Sequence, residues 1–302
     1  MMAGRFRQKG LALVGVLWAV TLLAIMAGSF SLTLQRDAGL LTTTQDRARA
    51  VALADAGVHY AMLMLVHTDP LKKWRDDGRV YGVELPGGRV KLRVFDEGGK
   101  IDINAAQRTT LIALFTPLVG GPDGAEVLAD AIMDWRDGDD MPSLHGAEAK
   151  EYQAAGKGYV PQNRNFQVLE ELQMVLGMTP ALYSRLEPML TIYSGQDGIN
   201  PVVASREALL AIPGIDPMMV EQYLIARRTA PPNAPLPPLA MPPTSGIRQS
   251  SAKDMAYTVW AEASLSERQG AGLRVVMRRV PSRNGSPFTI AGWKALTAGH
   301  GG

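Results

Sequence analysis

The sequence contains no cysteine, which excludes thiolate nucleophiles, thiolate metal sites and disulfide staples together. It leaves the compartment open, because many exported proteins carry no disulfide. Histidine is scarce as well. His59, His67, His145 and His300 include no pair at the short spacing with which one helix holds zinc, which argues against a histidine–zinc hydrolase. Net charge is nearly absent: 31 basic against 29 acidic residues leave +2, so no global basic field draws the chain to nucleic acid. No Gly-x-Ser-x-Gly elbow organises a serine for attack, and the densest acids share one short loop, a poor way to face both sides of a glycosidic bond. No enzyme class finds support. What is present is ordinary for a packed protein: 46% of the 302 residues are hydrophobic, enough for two domains or one elaborated domain.

Charge is also missing locally. After Arg5, Arg7 and Lys9 none occurs from Gly10 until Arg36, leaving Leu11 to Leu34 mostly apolar. At about 1.5 Å per residue this run covers roughly 36 Å, against a bilayer core of about 30 Å. The basic residues before it would stay cytoplasmic and send the rest of the chain outward. A cleaved secretory signal fits the run equally well, with Ala27-Gly28-Ser29 as the small residues at a cut. The residues beyond the run separate these two readings. Leu34, Ala38, Leu41, Ala48, Val51, Ala54, Val58, Ala61 and Leu65 keep a three-and-four rhythm interrupted by Gln45, and no firm stop precedes Asp69-Pro70. The pattern predicts one helix from Leu11 to Val66, on the order of 84 Å long. Gly15, Gly28, Gly39 and Gly57 weaken it, each by about 1 kcal/mol relative to alanine outside a membrane.

Beyond this stem, Gly88–Phe95 alternates apolar and basic residues as a half-exposed strand does, and Asp96-Glu97-Gly98-Gly99 turns the chain. Tyr257–Ala263, Leu273–Val280 and Phe288–Trp293 read as three more strands. Between them lies a helical middle with a faint internal echo: Ile101-Asp102-Ile103-Asn104 leads to Leu111–Leu114 as Gly198-Ile199-Asn200-Pro201 leads to Leu209–Ile212. The proline-rich run Ala230–Pro238, with Pro242-Pro243 behind it, is expected to be extended and exposed. The order of elements makes an α+β architecture.

Asp134, Asp137, Asp139 and Asp140, followed by Glu148 and Glu151, crowd a loop bent by Gly138, Pro142 and Gly146. Hard oxygens on such a loop suit calcium, although the spacing is not that of an EF-hand and a solvated acidic loop is the other reading. Leu209-Leu210-Ala211-Ile212-Pro213-Gly214-Ile215 resembles the hairpin of helix-hairpin-helix DNA-binding domains, with Arg206, Arg227 and Arg228 nearby. Asp216, where those hairpins usually carry glycine, would repel phosphate, and a tight turn between core helices explains the motif as well. Trp135, Tyr152, Met174 and Met178 fit apolar helix faces.

A basic leader that ends in Gly10 before the apolar Leu11 resembles the class III signal of type IV pilins and type II secretion pseudopilins. The resemblance implies that a prepilin peptidase cuts after Gly10 and methylates Leu11. Most of that superfamily carries glutamate at the fifth mature position, where this chain has Gly15, and that absence is similar to the K minor pseudopilins of type II secretion. So are, in order, Gly99–Asn104, Asp134–Asp139, Gly146-Ala147-Glu148, Tyr159–Asn163 before Leu169–Leu172, and Ile199-Asn200 with Ile212–Ile215. The second apolar-asparagine pair is reduced to Ile199-Asn200-Pro201.

This resemblance implies a long transmembrane stem helix packed on an antiparallel pilin-like sheet that carries a large helical insertion of two SAM-like lobes. The expected divisions are a leader (1–10), stem (11–69), first part of the core (70–102), first lobe (103–195), second lobe (196–229), linker (230–250), C-terminal strands (251–296) and tail (297–302). It further implies calcium held by Asp134, Asp137, Asp139 and Glu148. The implied location is the inner membrane, with the N-terminus cytoplasmic and the head in the periplasm. The implied role is at the tip of the pseudopilus, starting its assembly with the I and J minor pseudopilins as partners. Secreted cargo is a further partner and nucleic acid is not. The alternatives are a minor pilin of another type IV filament and a membrane-anchored DNA receptor.

Overall fold

The computed structural model describes residues 9–231, 234, 236–251, 253–266, 269–280 and 285–296. Leader residues 1–8, linker positions 232, 233 and 235, and the tail 297–302 lie outside the described residues. A single helix, α1 (Lys9–Leu65), runs through the expected stem and ends one residue before Val66. Its segment Leu13–Phe30 has a mean hydropathy of 2.2 and no residue buried inside the molecule, so it is long and apolar enough to cross a membrane.

The lower part of α1 is amphipathic. Ala50, Leu53, Ala54, Val58, Ala61, Met62 and Leu65 are buried at three-and-four spacing against Val90, Leu92, Val94, Val259, Ala261, Leu273 and Val275 of a sheet. Each fully buried valine or leucine contributes about 1.5–3 kcal/mol. The helix comes close because Gly57 has no side chain. A Cβ there would stand 2.7 Å from Val90 Cγ1 and 3.3 Å from Leu92 Cδ2.

The sheet has five antiparallel strands, β1 (Asp77–Leu85), β2 (Gly88–Asp96), then β5 (Ala256–Ser266), β6 (Gln269–Arg279) and β7 (Phe288–Leu296), in the order β1-β2-β5-β6-β7. Sequence patterning anticipates β2, β5, β6 and β7 and misses β1. That strand is an edge, interrupted by Gly78 and Gly82, with Val80 about half exposed, so its alternation is faint. What secures it is aromatic: Trp74 stacks on Tyr81 with centroids 4.0 Å apart, and the Tyr81 hydroxyl accepts the Arg75 N–H at 2.7 Å.

Between β2 and β5 the chain makes the helical insertion. It contains the two-residue parallel pair β3 (Ile101–Asp102) and β4 (Leu190–Thr191), with α2 (Arg108–Phe115), α3 (Pro122–Arg136), α4 (Ala149–Ala154) and α5 (Pro180–Leu186) between them. The second unit is α6 (Arg206–Leu210) and α7 (Pro217–Thr229). Both units share one apolar core, since Leu111, Ile132, Trp135 and Leu186 belong to the same buried cluster as Ile199, Leu209, Ile212 and Val220. After the proline-rich run the chain returns beside Ile199, whose N–H donates to Arg248 O at 3.0 Å and whose carbonyl accepts the Ser250 N–H at 2.9 Å.

Where the insertion leaves and re-enters the sheet, carboxylate oxygens of Asp76, Asp96 and Asp254 lie within 4.8 Å of one another. Burial, then Asp76 and Asp254, push the Asp96 carboxyl up to about 7. The fold thus binds more protons than the unfolded chain between the ordinary aspartate range and pH 7, so stability falls as pH rises through that window.

Two outcomes are expected. Gly57→Val should destabilise the head by about 1–3 kcal/mol through overpacking against Val90, read as a lower denaturation midpoint of the full chain in detergent micelles. The thermal midpoint should fall as pH is raised from the ordinary aspartate range to 7, and Asp76→Asn should flatten that fall; an identical slope in the variant would contradict the assignment to this triad.

Candidate metal-binding loop

The acidic loop links the end of α3 to α4, and its backbone is set by one buried carboxylate. Asp134 faces inward from α3 with no exposure, accepting the Ser143 N–H at 3.0 Å and the Ser143 hydroxyl at 2.5 Å. Gly146 lies against it so closely that a Cβ would stand 1.9 Å from Asp134 Oδ2, so no other residue fits there without movement. Neighbouring contacts hold the loop's two ends. Arg108 pairs with Asp130 at 2.5 Å, whose other oxygen accepts the His145 N–H at 3.3 Å. Arg136 donates to the carbonyls of Ile103 and Ala106. Beneath lies an aromatic floor of Trp135, Tyr152 and Phe166, all buried; Asn104 fixes Phe166 by bonding both its N–H and its carbonyl.

Glu148 precedes α4 and is 4% exposed, yet neither of its carboxylate oxygens has a donor. Burial, then Asp134, Asp137, Asp140 and Asp139, push it up to about 7. Asp137 is raised as well, by burial and then by Asp139 and Asp134, and its Oδ1 is buried without a partner. Asp139 is exposed and accepts the Met141 N–H at 2.9 Å. The sequence quartet Asp134, Asp137, Asp139 and Glu148 thus sits on one loop, with two members carrying unpaired buried oxygens. It is more open than a filled cage: among the described residues, the acidic group drawn within 4.8 Å is Asp76–Asp96–Asp254. Sequence reasoning missed Asn163, which reaches the loop from 24 positions beyond Asp139 and donates to Asp139 O at 2.7 Å and to Asp140 Oδ1 at 2.9 Å. The signal available was its place in the Tyr159–Asn163 motif.

The hairpin-like segment serves packing. Asp216 caps α7 by accepting the Met218 N–H at 2.8 Å, and Gly214 takes a φ of 72° in the turn before it. Arg227 is buried and donates to the carbonyls of Pro201, Val202 and Ala204, and Arg206 pairs with Glu221 at 2.7 Å. Arg228, the third arginine near the hairpin, faces solvent.

Residues 88–195 match the family model described as type II secretion system protein K. The chain is similar to type II secretion system protein K of Klebsiella pneumoniae, 28% identical over 230 residues that cover 68% of this chain and 70% of that one. It is 26% identical to the protein of that name from Pectobacterium carotovorum subsp. carotovorum over 246 residues, 72% of this chain and 74% of the other. The fold resembles that of a chain in the crystal structure of the GspK–GspI–GspJ complex of the enterotoxigenic Escherichia coli type 2 secretion system. The TM-score is 0.62 at 16% identity, covering 85% of this chain and 99% of that chain. Stem, sheet and inserted helices agree with these relatives, and the chain is similar in sequence and fold to type II secretion system protein K.

Proposed function

We propose that this chain is the tip subunit of the type II secretion pseudopilus, placed in the inner membrane by α1 with its head in the periplasm, where it starts fibre assembly with the I and J minor pseudopilins. The observation that carries the proposal is Gly15 within the exposed apolar stem. Nothing lies within 4 Å of a Cβ built there, so packing inside the chain does not demand glycine. What matters is the missing carboxylate. A carboxylate in hydrocarbon is costly unless paired, and in this superfamily its partner is the N-terminal amine of the adjacent, earlier-assembled subunit. A subunit at the end of the fibre meets no such amine. The helical insertion, with its two SAM-like lobes, adds bulk that blocks stacking above the head. The similar solved chain comes from a complex that joins GspK to GspI and GspJ, which supports the choice of partners.

The stem reaches this state after cleavage. Prepilin peptidase cuts between Gly10 and Leu11 and methylates Leu11. Mass spectrometry of the N-terminus, with and without co-expressed prepilin peptidase, should find methylated Leu11 only when the enzyme is present. A cut near Ser29 that leaves a soluble product would overturn the reading.

Calcium in the α3–α4 loop belongs to the same proposal. The residues fit it: Glu148 and Asp137 offer buried oxygens without donors, and hard carboxylate oxygens suit that ion. Glu148 and Asp137 would hold it while Asp134 and Asp139 shape or complete the loop, and the charge supplied would let Glu148 ionise. Saturating calcium should stabilise the full-length protein by about 2.7 kcal/mol at a hundredfold excess over the dissociation constant. Affinity should weaken as the pH falls below about 7, because a proton then competes at Glu148. A melting midpoint indifferent to chelator would defeat the metal reading.

A further inference from the structure

Antiparallel sheets commonly pack one face on a core, and here that face is the one turned to α1. Leu273, Val275 and Met277 of β6 lie in the core beneath the stem. Their partners on β7 are Ala295, Trp293 and Ile290, and residues paired across two strands share a face. The stem-facing side of β7 is therefore apolar from Phe288 to Ala295. Yet, among the described residues, Phe288 alone of that strand joins the core. Ile290 is 49% exposed, Trp293 is 52% exposed and Ala295 faces solvent. The cause is the placement of α1, which seats on β5 and β6 and reaches β2 but leaves β7 largely uncovered.

The two edges of the sheet are treated differently. At β1 the chain covers its own edge: Trp74 stacks on Tyr81, Tyr60 of α1 meets Trp74 with ring centroids 5.7 Å apart, and Val83 and Leu85 pack against the same core. At β7 the insertion serves the opposite face, where Lys294 pairs with Glu170 at 3.2 Å. Thr297-Ala298-Gly299-His300-Gly301-Gly302 offers no large apolar side chain that could cover the stem-facing side.

The shape of this open ledge selects its occupant. A strand added to the edge of β7 would extend the backbone ladder and leave Ile290 and Trp293 bare, since side chains stand perpendicular to a sheet. An element lying on the face covers them. Strands are about 4.8 Å apart, so β7 runs roughly 7 Å to the side of the midline between β5 and β6. Packed helices stand about 8–10 Å apart, so a second helix beside α1 is carried over β7.

We infer that Ile290, Trp293 and Ala295 form the docking ledge for the stem helix of an adjacent fibre subunit, which lies beside α1 and presents an apolar face to β7. The inference rests on the assembly reading above and goes beyond it by assigning the surface of the head that the partner meets.

Photo-crosslinking tests it on the full-length chain, coexpressed with the I and J minor pseudopilins of the same secretion system and purified with them in detergent micelles. With p-benzoylphenylalanine in place of Trp293, the crosslinked peptide identified by mass spectrometry should come from the N-terminal helix of I or J. The same photoprobe in place of Trp260, which lies on the opposite face of the sheet, should not reach that helix. Trp293→Glu should weaken the complex by about tenfold or more, while the melting midpoint of the chain alone stays near that of the wild type because the side chain is already half exposed. Trp293→Phe should restore most of the binding. The ledge is overturned, with the assembly reading intact, if Trp293→Glu assembles with wild-type affinity. It is overturned in the same way if the crosslink from the Trp293 position maps to a globular head, to a second copy of this chain or to no partner. If the wild-type chain forms no complex with I and J, the assembly reading falls and takes the ledge with it.

Discussion

The buried carboxylate of Glu97 is the joint on which the head depends. It sits where β2 ends and the insertion begins, 2% exposed, accepting Lys100 Nζ at 2.8 Å and the Thr258 hydroxyl at 2.6 Å. Burial opposes its charge, but Lys100 and the hydroxyls of Thr191 and Thr258 outweigh that and hold it below the usual carboxylate range. Thr258 lies on β5 of the large sheet and Thr191 on β4 of the insertion, so one charged group ties both bodies. Breaking such a buried pair by removing one partner costs about 3–5 kcal/mol, since it strands the other charge. Around it the backbone closes tightly. Asn200 N–H donates to Gly98 O at 2.9 Å, and a Cβ on Gly99 would stand 2.6 Å from Ala204 Cα.

On either side of this joint are two separate apolar cores. The stem and sheet share one, built from the inner face of α1 and alternate positions of β2, β5 and β6. The insertion has its own, running from Ile101 to Ile247. The division lets each body do different work. The first presents a helix whose Leu13–Phe30 segment remains apolar and exposed. The second carries the loop of repelling carboxylates between α3 and α4.

Much of the first body is legible in the sequence because its signals are periodic. A charge-free run followed by three-and-four spacing announces α1, and alternation announces β2, β5, β6 and β7. The strand that escapes, β1, is secured by one aromatic stack between Trp74 and Tyr81, a contact with no periodic trace. The pair β3 and β4 escapes because two residues carry no pattern. In the loop, composition identifies the acidic residues but not their duties. Asp134 and Glu148 look alike in the sequence; burial with a donor makes one a loop former, and burial without a donor makes the other a ligand candidate.

What the sequence determined by itself is therefore everything that repeats along the chain or depends on composition: the stem and its unbroken length, the missing carboxylate at Gly15, the strand–insertion–strand order and the region rich in hard oxygens. Only the tertiary structure decided which of those oxygens are spent on the protein's own N–H groups, which three carboxylates crowd together at Asp96, and that Asn163 crosses to the acidic loop. Hydrogen-bond satisfaction and desolvation are properties of surroundings, and residues distant in the chain supply those surroundings.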